Sequence, residues 1–189
     1  MEEKIVLVTG TGGGIGAACA RGLLEDGNKV TALDVKPVHE TVLKASHEDN
    51  YIALEVDVSS LEACRNAVKQ TIDKFGRLDA VCHFAAIHST LNWEDVSNKE
   101  FNRVLEVNVV GSFNVAKAAG EWMKENGGGA IVLTSSGSPI RSSIDLFAAF
   151  SLAALVYSAI IGVSVAPGAT VFTRILYGPS ERARERLRP

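Results

Sequence analysis

Thr9-Gly10-Thr11-Gly12-Gly13-Gly14-Ile15-Gly16 is the stretch on which the fold turns. An apolar run, residues 4–9, leads into it, and a helical pattern through Ala18, Cys19 and Leu23 leads out to a stop at Gly27. A strand that passes through glycines into a helix can turn tightly and bring its backbone against a pyrophosphate. The first N–H groups and the dipole of the helix then stabilise the negative charge. The next apolar run, residues 29–34, ends on Asp34, about 20 residues beyond the glycines, where a carboxylate can accept hydrogen bonds from an adenosine ribose. The same carboxylate would repel a 2′-phosphate, and no Arg or Lys immediately precedes it. NAD is therefore expected as cofactor in preference to NADP.

Outward from this βαβ unit, apolar runs alternate with helical patterns along the chain. The candidate strands are residues 4–9, 29–34, 51–57, 78–84, 130–135 and 159–166. Such alternation predicts an α/β fold: a Rossmann-type doubly wound parallel sheet of about six strands with helices on both faces. Right-handed crossovers and a nucleotide motif on the first strand favour the order 3-2-1-4-5-6. Between the third and fourth strands, Ser59 and Glu62 suggest a capping box. Leu61, Cys64, Val68, Ile72 and Phe75 then recur at helical spacing before Gly76. Phe101, Val104, Leu105, Phe113, Ala116 and Met123 trace a further helical region with a joint near Gly111. Residues 1–189 read as one domain, with residues 175–189 a charged C-terminal tail.

The 189 residues are 47% hydrophobic, enough for one sizeable core, and a net charge of −3 leaves no basic stripe for a nucleic-acid backbone. No nucleic-acid partner is expected. Cys19, Cys64 and Cys82 are far apart along the chain and form no CxxC pair, so neither a disulfide framework nor a metal site is expected. The acidic start MEEKIVLVTG runs straight into a strand without the features of a signal peptide, which makes cytoplasmic residence the expectation. Residues 146–173 carry no charge over a run long enough for a membrane span. Pro167 and Gly168 interrupt the run and its second half is β-branched, which favours a helix followed by a buried strand.

Thr9-Gly10-x-x-x-Gly14-Ile15-Gly16 resembles the TGxxxGIG fingerprint of the short-chain dehydrogenase/reductase family, and further residues fall in register from residue 4 to about residue 173. Asp57-Val58 resembles the pair that contacts adenine after the third strand. Asn108 is similar to the asparagine whose main chain supports a proton-relay water, and Ser136 to the catalytic serine that orients substrate. His83-Phe84-Ala85-Ala86 stands where the family has NNAG, and Pro167-Gly168 resembles the turn beside the nicotinamide. The resemblance implies an oxidoreductase that moves a hydride between an alcohol or carbonyl and a nicotinamide cofactor. Gly10, Gly12, Gly13, Gly14, Ile15, Gly16, Asp34, Asp57, Val58, Ala85, Ala86, Pro167 and Gly168 would hold that cofactor, and no metal is implied. A homodimer is expected, paired through the region 98–123 and the segment after Asp145.

The family's YxxxK pair, which moves the hydroxyl proton, falls on Phe150 and Ala154. Phe150 has no hydroxyl, Ala154 has no ammonium, and no lysine follows Lys124, so a small shift of register does not restore the pair. Replacing NNAG by His83-Phe84-Ala85-Ala86 removes the amides that tie neighbouring strands, and His83 reads as a hydrogen-bonded strand-end residue rather than a base. Activity is therefore expected to be weak or absent. The alternatives are a weakened reaction carried by Ser136, Asn108 and water, an incomplete copy of an active enzyme, a non-catalytic NAD-binding regulator, and a membrane-attached protein.

Overall fold

Ile5–Thr9 (β1) is a run of five residues, every one buried, as a strand covered on both faces requires. It lies at the centre of a six-stranded sheet ordered β3-β2-β1-β4-β5-β6, with β2 Lys29–Asp34, β3 Tyr51–Glu55, β4 Ala80–His83, β5 Gly129–Leu133 and β6 Thr173–Tyr177. The computed structural model describes residues 2–36, 49–134 and 173–177. β1 to β5 are mutually parallel, and the register sets Thr9 beside Leu33 on one side and His83 on the other. The expected Rossmann-type order is thus present for the five parallel strands.

The sixth strand of the described sheet is not one of the runs expected from the sequence. It is Thr173–Tyr177 and it runs antiparallel to β5, pairing Leu133 with Thr173 and Gly129 with Tyr177. Residues 159–166, expected as the sixth strand, lie outside the described residues. With Arg174 among its five residues, β6 lacks the continuous apolar run that marks the central strands in the sequence. The charged tail expected from residue 175 accordingly loses Ile175, Leu176 and Tyr177 to β6.

Helix α1, Gly14–Glu25, covers one face of the sheet, where Ala17, Ala20 and Leu24 pack against Val6, Val8, Val30 and Ala32. Helices α2, Leu61–Phe75, and α4, Gly111–Glu125, cover the other, where Cys64, Val68, Val115, Ala119 and Met123 meet Leu7, Leu33, Val81 and Ile131. The cap of α2 is Ser60 rather than Ser59: its side chain accepts from the Ala63 N–H, and Gly76 closes the helix with a left-handed turn. The joint expected near Gly111 is a π-helical segment, Glu106–Val110, between α3, Asn98–Leu105, and α4. No helix among the described residues is long and apolar enough to cross a membrane.

Candidate functional site

All five parallel strands end on the same edge, and the glycine turn lies across that edge between β1 and β2, with the Thr11 N–H donating to the Leu33 carbonyl at 3.2 Å. Gly10 has a φ of +75°, and a Cβ there would stand 2.8 Å from the Phe84 carbonyl carbon. At Gly16 a Cβ would meet the Gly10 carbonyl oxygen at 2.2 Å. Only glycine lets the first turn of α1 press this closely on the strand end. The α1 N-terminus has no side-chain cap and no acid in its first turn, whereas α2 has Ser60 and Glu62 and α3 has Ser97 and Glu100. Its first N–H groups therefore suit an external anion. Ile15 in the same turn is 68% exposed.

Asp34 at the end of β2 faces this turn. Its Oδ2 accepts from the Gly12 N–H at 2.8 Å and its Oδ1 from the Lys36 N–H at 2.9 Å. A carboxylate oxygen has two lone pairs, so both oxygens can still accept from a ribose diol. A Cβ at Gly12 would lie 2.9 Å from the Asp34 carboxyl carbon, so side chain and turn are fitted to each other. Cradle and carboxylate together fit a dinucleotide.

At the other side of β1, Thr9 is a hub. Its Oγ1 accepts from the Phe84 and Ala85 N–H groups, both at 3.0 Å, and bonds His83 Nδ1 at 2.8 Å. With its acceptor positions filled, the hydroxyl donates to Nδ1, which leaves the proton of a neutral imidazole on Nε2. His83 Nε2 and Thr11 Oγ1 are buried with no hydrogen-bond partner among the described residues. The His83 carbonyl accepts from both the N–H and the hydroxyl of Thr134, which ties β4 to β5 as well. Loss of the amides at this turn therefore does not untie the strands, because an imidazole and two threonines do it instead. Burial pushes the His83 pKa down to about 4, so the ring is neutral near pH 7 and serves as a packed strap rather than a base.

Two further asparagines organise the approach to the site. Asn108, buried in the π-helical segment, clamps the Ile87 backbone: its Oδ1 accepts from the Ile87 N–H and its Nδ2 donates to the Ile87 carbonyl, each at 2.8 Å. Its own carbonyl accepts from the Ser112 hydroxyl at 2.6 Å. The wider π turn sets this residue at the helix joint, a position where such irregularities often serve function. Asn114 on α4 donates to the carbonyls of Val58 and Ser59 at 3.0 and 2.7 Å, fixing the loop after β3. Asp57 in that loop is exposed and caps the Ser59 N–H, while Val58 is buried against Gly111. Ala85 is half-buried and Ala86 exposed at the end of β4.

Residues 4–171 match the family described as short chain dehydrogenase. The chain belongs to the short-chain dehydrogenase/reductase family. It is similar to a versicolorin reductase of Aspergillus parasiticus, 39% identical over 156 residues that cover 80% of this chain and 58% of the relative. An oxidoreductase of Thermotoga maritima is 37% identical over 140 residues, 71% of this chain and 54% of that protein. The chain thus spans a little over half the length of these relatives. Among solved structures, a 3-ketoacyl-(acyl-carrier-protein) reductase from Brucella melitensis complexed with NADH is 27% identical with a TM-score of 0.74, covering 84% of this chain and 69% of that one. A short chain dehydrogenase from Mycobacterium paratuberculosis bound to NAD has the same TM-score at 24% identity, over 84% and 67% of the two chains.

In family terms, the structure brings together the glycine fingerprint, Asp34, Asp57-Val58, the turn His83 to Ala86, and Asn108. Ser136, Phe150, Ala154, Pro167 and Gly168 lie outside the described residues. Sequence reasoning misses the Thr9 hub. Its only signal is the pairing of a threonine before the glycines with a hydrogen-bonding residue at the end of β4.

The asparagine that the family carries in place of His83 cannot titrate, whereas His83 can. An unfolded imidazole takes a proton below about pH 6.5, but the buried one does so only below about pH 4. The neutral ring's contribution is present in full above pH 6.5 and is lost as pH falls from 6.5 to 4, by up to about 3 kcal/mol. Urea unfolding at pH 7 and pH 4.5 should show a smaller acid loss in His83→Asn than in the unaltered chain. Equal losses in both would remove His83 from the acid response.

Proposed function

We propose that this member of the family binds NAD(H), in preference to NADP(H), without the family's rate of hydride transfer. The observation that carries the first half is the arrangement around Gly12: an uncapped helix start with a carboxylate fitted to the same turn. In this reading Gly10, Gly12, Gly13, Gly14, Ile15 and Gly16 line the pyrophosphate. Asp34 takes the adenosine ribose, Asp57 and Val58 flank the adenine, and Ala85, Ala86, Pro167 and Gly168 lie along the rest of the cofactor. When bound, the nicotinamide ring exchanges a hydride with an alcohol or carbonyl carbon. The chain's part is to orient substrate through Ser136 and to carry the hydroxyl proton away. Phe150 and Ala154, at the positions of the family's tyrosine and lysine, offer no group for that proton. Asn108 with its Ser112-bound carbonyl belongs to the same relay and has no lysine to serve.

Exposed Phe101 on α3, Val110 in the π-helical segment and Phe113 on α4 support a homodimer paired through this region. Cytoplasmic residence is part of the same reading, supported by three free thiols. The chain's 58% span of the versicolorin reductase favours a second reading, an incomplete copy of an active enzyme.

Cofactor choice is tested by titrating NADH and NADPH in parallel, following their fluorescence. The unaltered protein should bind NADH at least about tenfold more tightly. Asp34→Ala should bring the two affinities together, since the ribose acceptor and the repulsion toward a 2′-phosphate leave with one side chain. Equal affinities in the unaltered protein would assign Asp34 to the turn alone.

A further inference from the structure

The loop between β3 and α2 is held by both helices packed behind it. Asn114, buried on α4, donates its side-chain N–H groups to the Val58 and Ser59 carbonyls at 3.0 and 2.7 Å. The Cys64 thiol of α2 reaches the same Val58 carbonyl at 3.5 Å, which fills both of its lone pairs. At Gly111 a Cβ would stand 2.7 Å from Val58 Cγ2, so the start of α4 lies directly on the Val58 side chain. A peptide unit is planar, so fixing the Val58 and Ser59 carbonyls also fixes the N–H groups of Ser59 and Ser60. Those N–H groups hold Asp57: the first donates to its Oδ1 at 2.9 Å and the second to its carbonyl at 3.1 Å. Asp57 itself is exposed, and its Oδ2 accepts no hydrogen bond among the described residues.

We propose that Asn114 is the positioning residue for base selection: by fixing the two peptide planes that hold Asp57, it sets Oδ2 to accept from the amino group of adenine. The proposal rests on the reading that Asp57 and Val58 flank the adenine, and adds to it the reason that base is chosen. A carboxylate only accepts hydrogen bonds, so it favours the exocyclic amino group of adenine and repels the carbonyl that hypoxanthine carries at the same ring position. An exposed carboxylate free to turn would discriminate poorly, because water serves it equally well. With Oδ1 held by the Ser59 N–H, the other oxygen is placed before the base arrives.

Asn126 is the internal contrast. Its amide also donates to a backbone carbonyl, that of Trp122 at 2.8 Å, but at the exposed C-terminal end of α4.

The test is titration with NADH and with reduced nicotinamide hypoxanthine dinucleotide, following the fluorescence of the dihydronicotinamide ring that both carry. The unaltered protein should bind NADH at least about fivefold more tightly, the range for a hydrogen bond to a charged group partly open to water. Asn114→Ala should bring that preference below about twofold, mainly by weakening NADH. Asn114→Ser, with one donor in place of the amide's two, should lose part of the preference and decides the matter if the alanine variant does not fold. Asn126→Ala should keep it whole. A general loosening of the fold weakens both dinucleotides alike and leaves their ratio unchanged. An unchanged ratio in the folded Asn114 variants, or no preference in the unaltered protein, would overturn the proposal while leaving NAD(H) binding in place. An unaltered protein that binds neither dinucleotide would overturn NAD(H) binding and the proposal with it.

Discussion

Gly16→Ala is expected to weaken NADH binding at least about tenfold and to lower the free energy of unfolding by about 1–3 kcal/mol, the range for overpacking a tight contact. The added Cβ would stand 2.2 Å from the Gly10 carbonyl oxygen, with the Thr9 carbonyl oxygen at 2.8 Å. These are backbone atoms of the strand end, so no side chain can swing aside. Helix α1 must move away from β1 and carry the uncapped N–H groups off the phosphate position. At Gly22, in the same helix, an added Cβ would meet nothing within 4 Å. Gly22→Ala should therefore be neutral or stabilising by about 0.5–1 kcal/mol, the helix-propensity difference. Urea unfolding and NADH titration of the two variants side by side check the contrast. Indistinguishable behaviour would mean that α1 does not depend on the close approach at Gly16.

The features legible in the sequence are the local ones. The five parallel strands, the glycine turn and the cap at Gly76 each depend on residues within one strand–turn–helix unit, where spacing and residue type suffice. Asp34 is legible for the same reason. The Thr9–His83 bond is not, because it arises from the placement of β4 beside β1 and no local pattern encodes that pairing across so long a stretch of chain. Asn108 stands out by its motif, yet the clamp on Ile87 follows from a π turn that a 3.6-residue period does not anticipate. Ser59 and Ser60 are adjacent hydroxyls, and only the backbone path decides which one caps α2. Residues 159–166, whose apolar content suggests a strand, lie outside the described residues, whereas Thr173–Tyr177, which carries Arg174, pairs with β5 without such a run to announce it.

The second large effect concerns chemistry. Phe150→Tyr combined with Ala154→Lys should raise dehydrogenase turnover by more than the two single changes multiplied together, toward the roughly 10²–10⁴-fold that general acid–base catalysis supplies. A tyrosine alone has a pKa of about 10 and is a poor base near neutral pH, and a lysine alone has no phenol to act on. Each group works only through the other, so their effects couple. Steady-state rates of the four proteins on one alcohol substrate give the coupling directly, and simple multiplicativity would show that the two positions do not form a pair. The most direct measurement is on the unaltered chain. With NAD at saturation and a broad panel of alcohols, it should bind cofactor and reduce it at well below about 1 s⁻¹, under the range of ordinary enzymes. Reduction faster than that would contradict the proposed loss of activity and mean that another residue takes the hydroxyl proton.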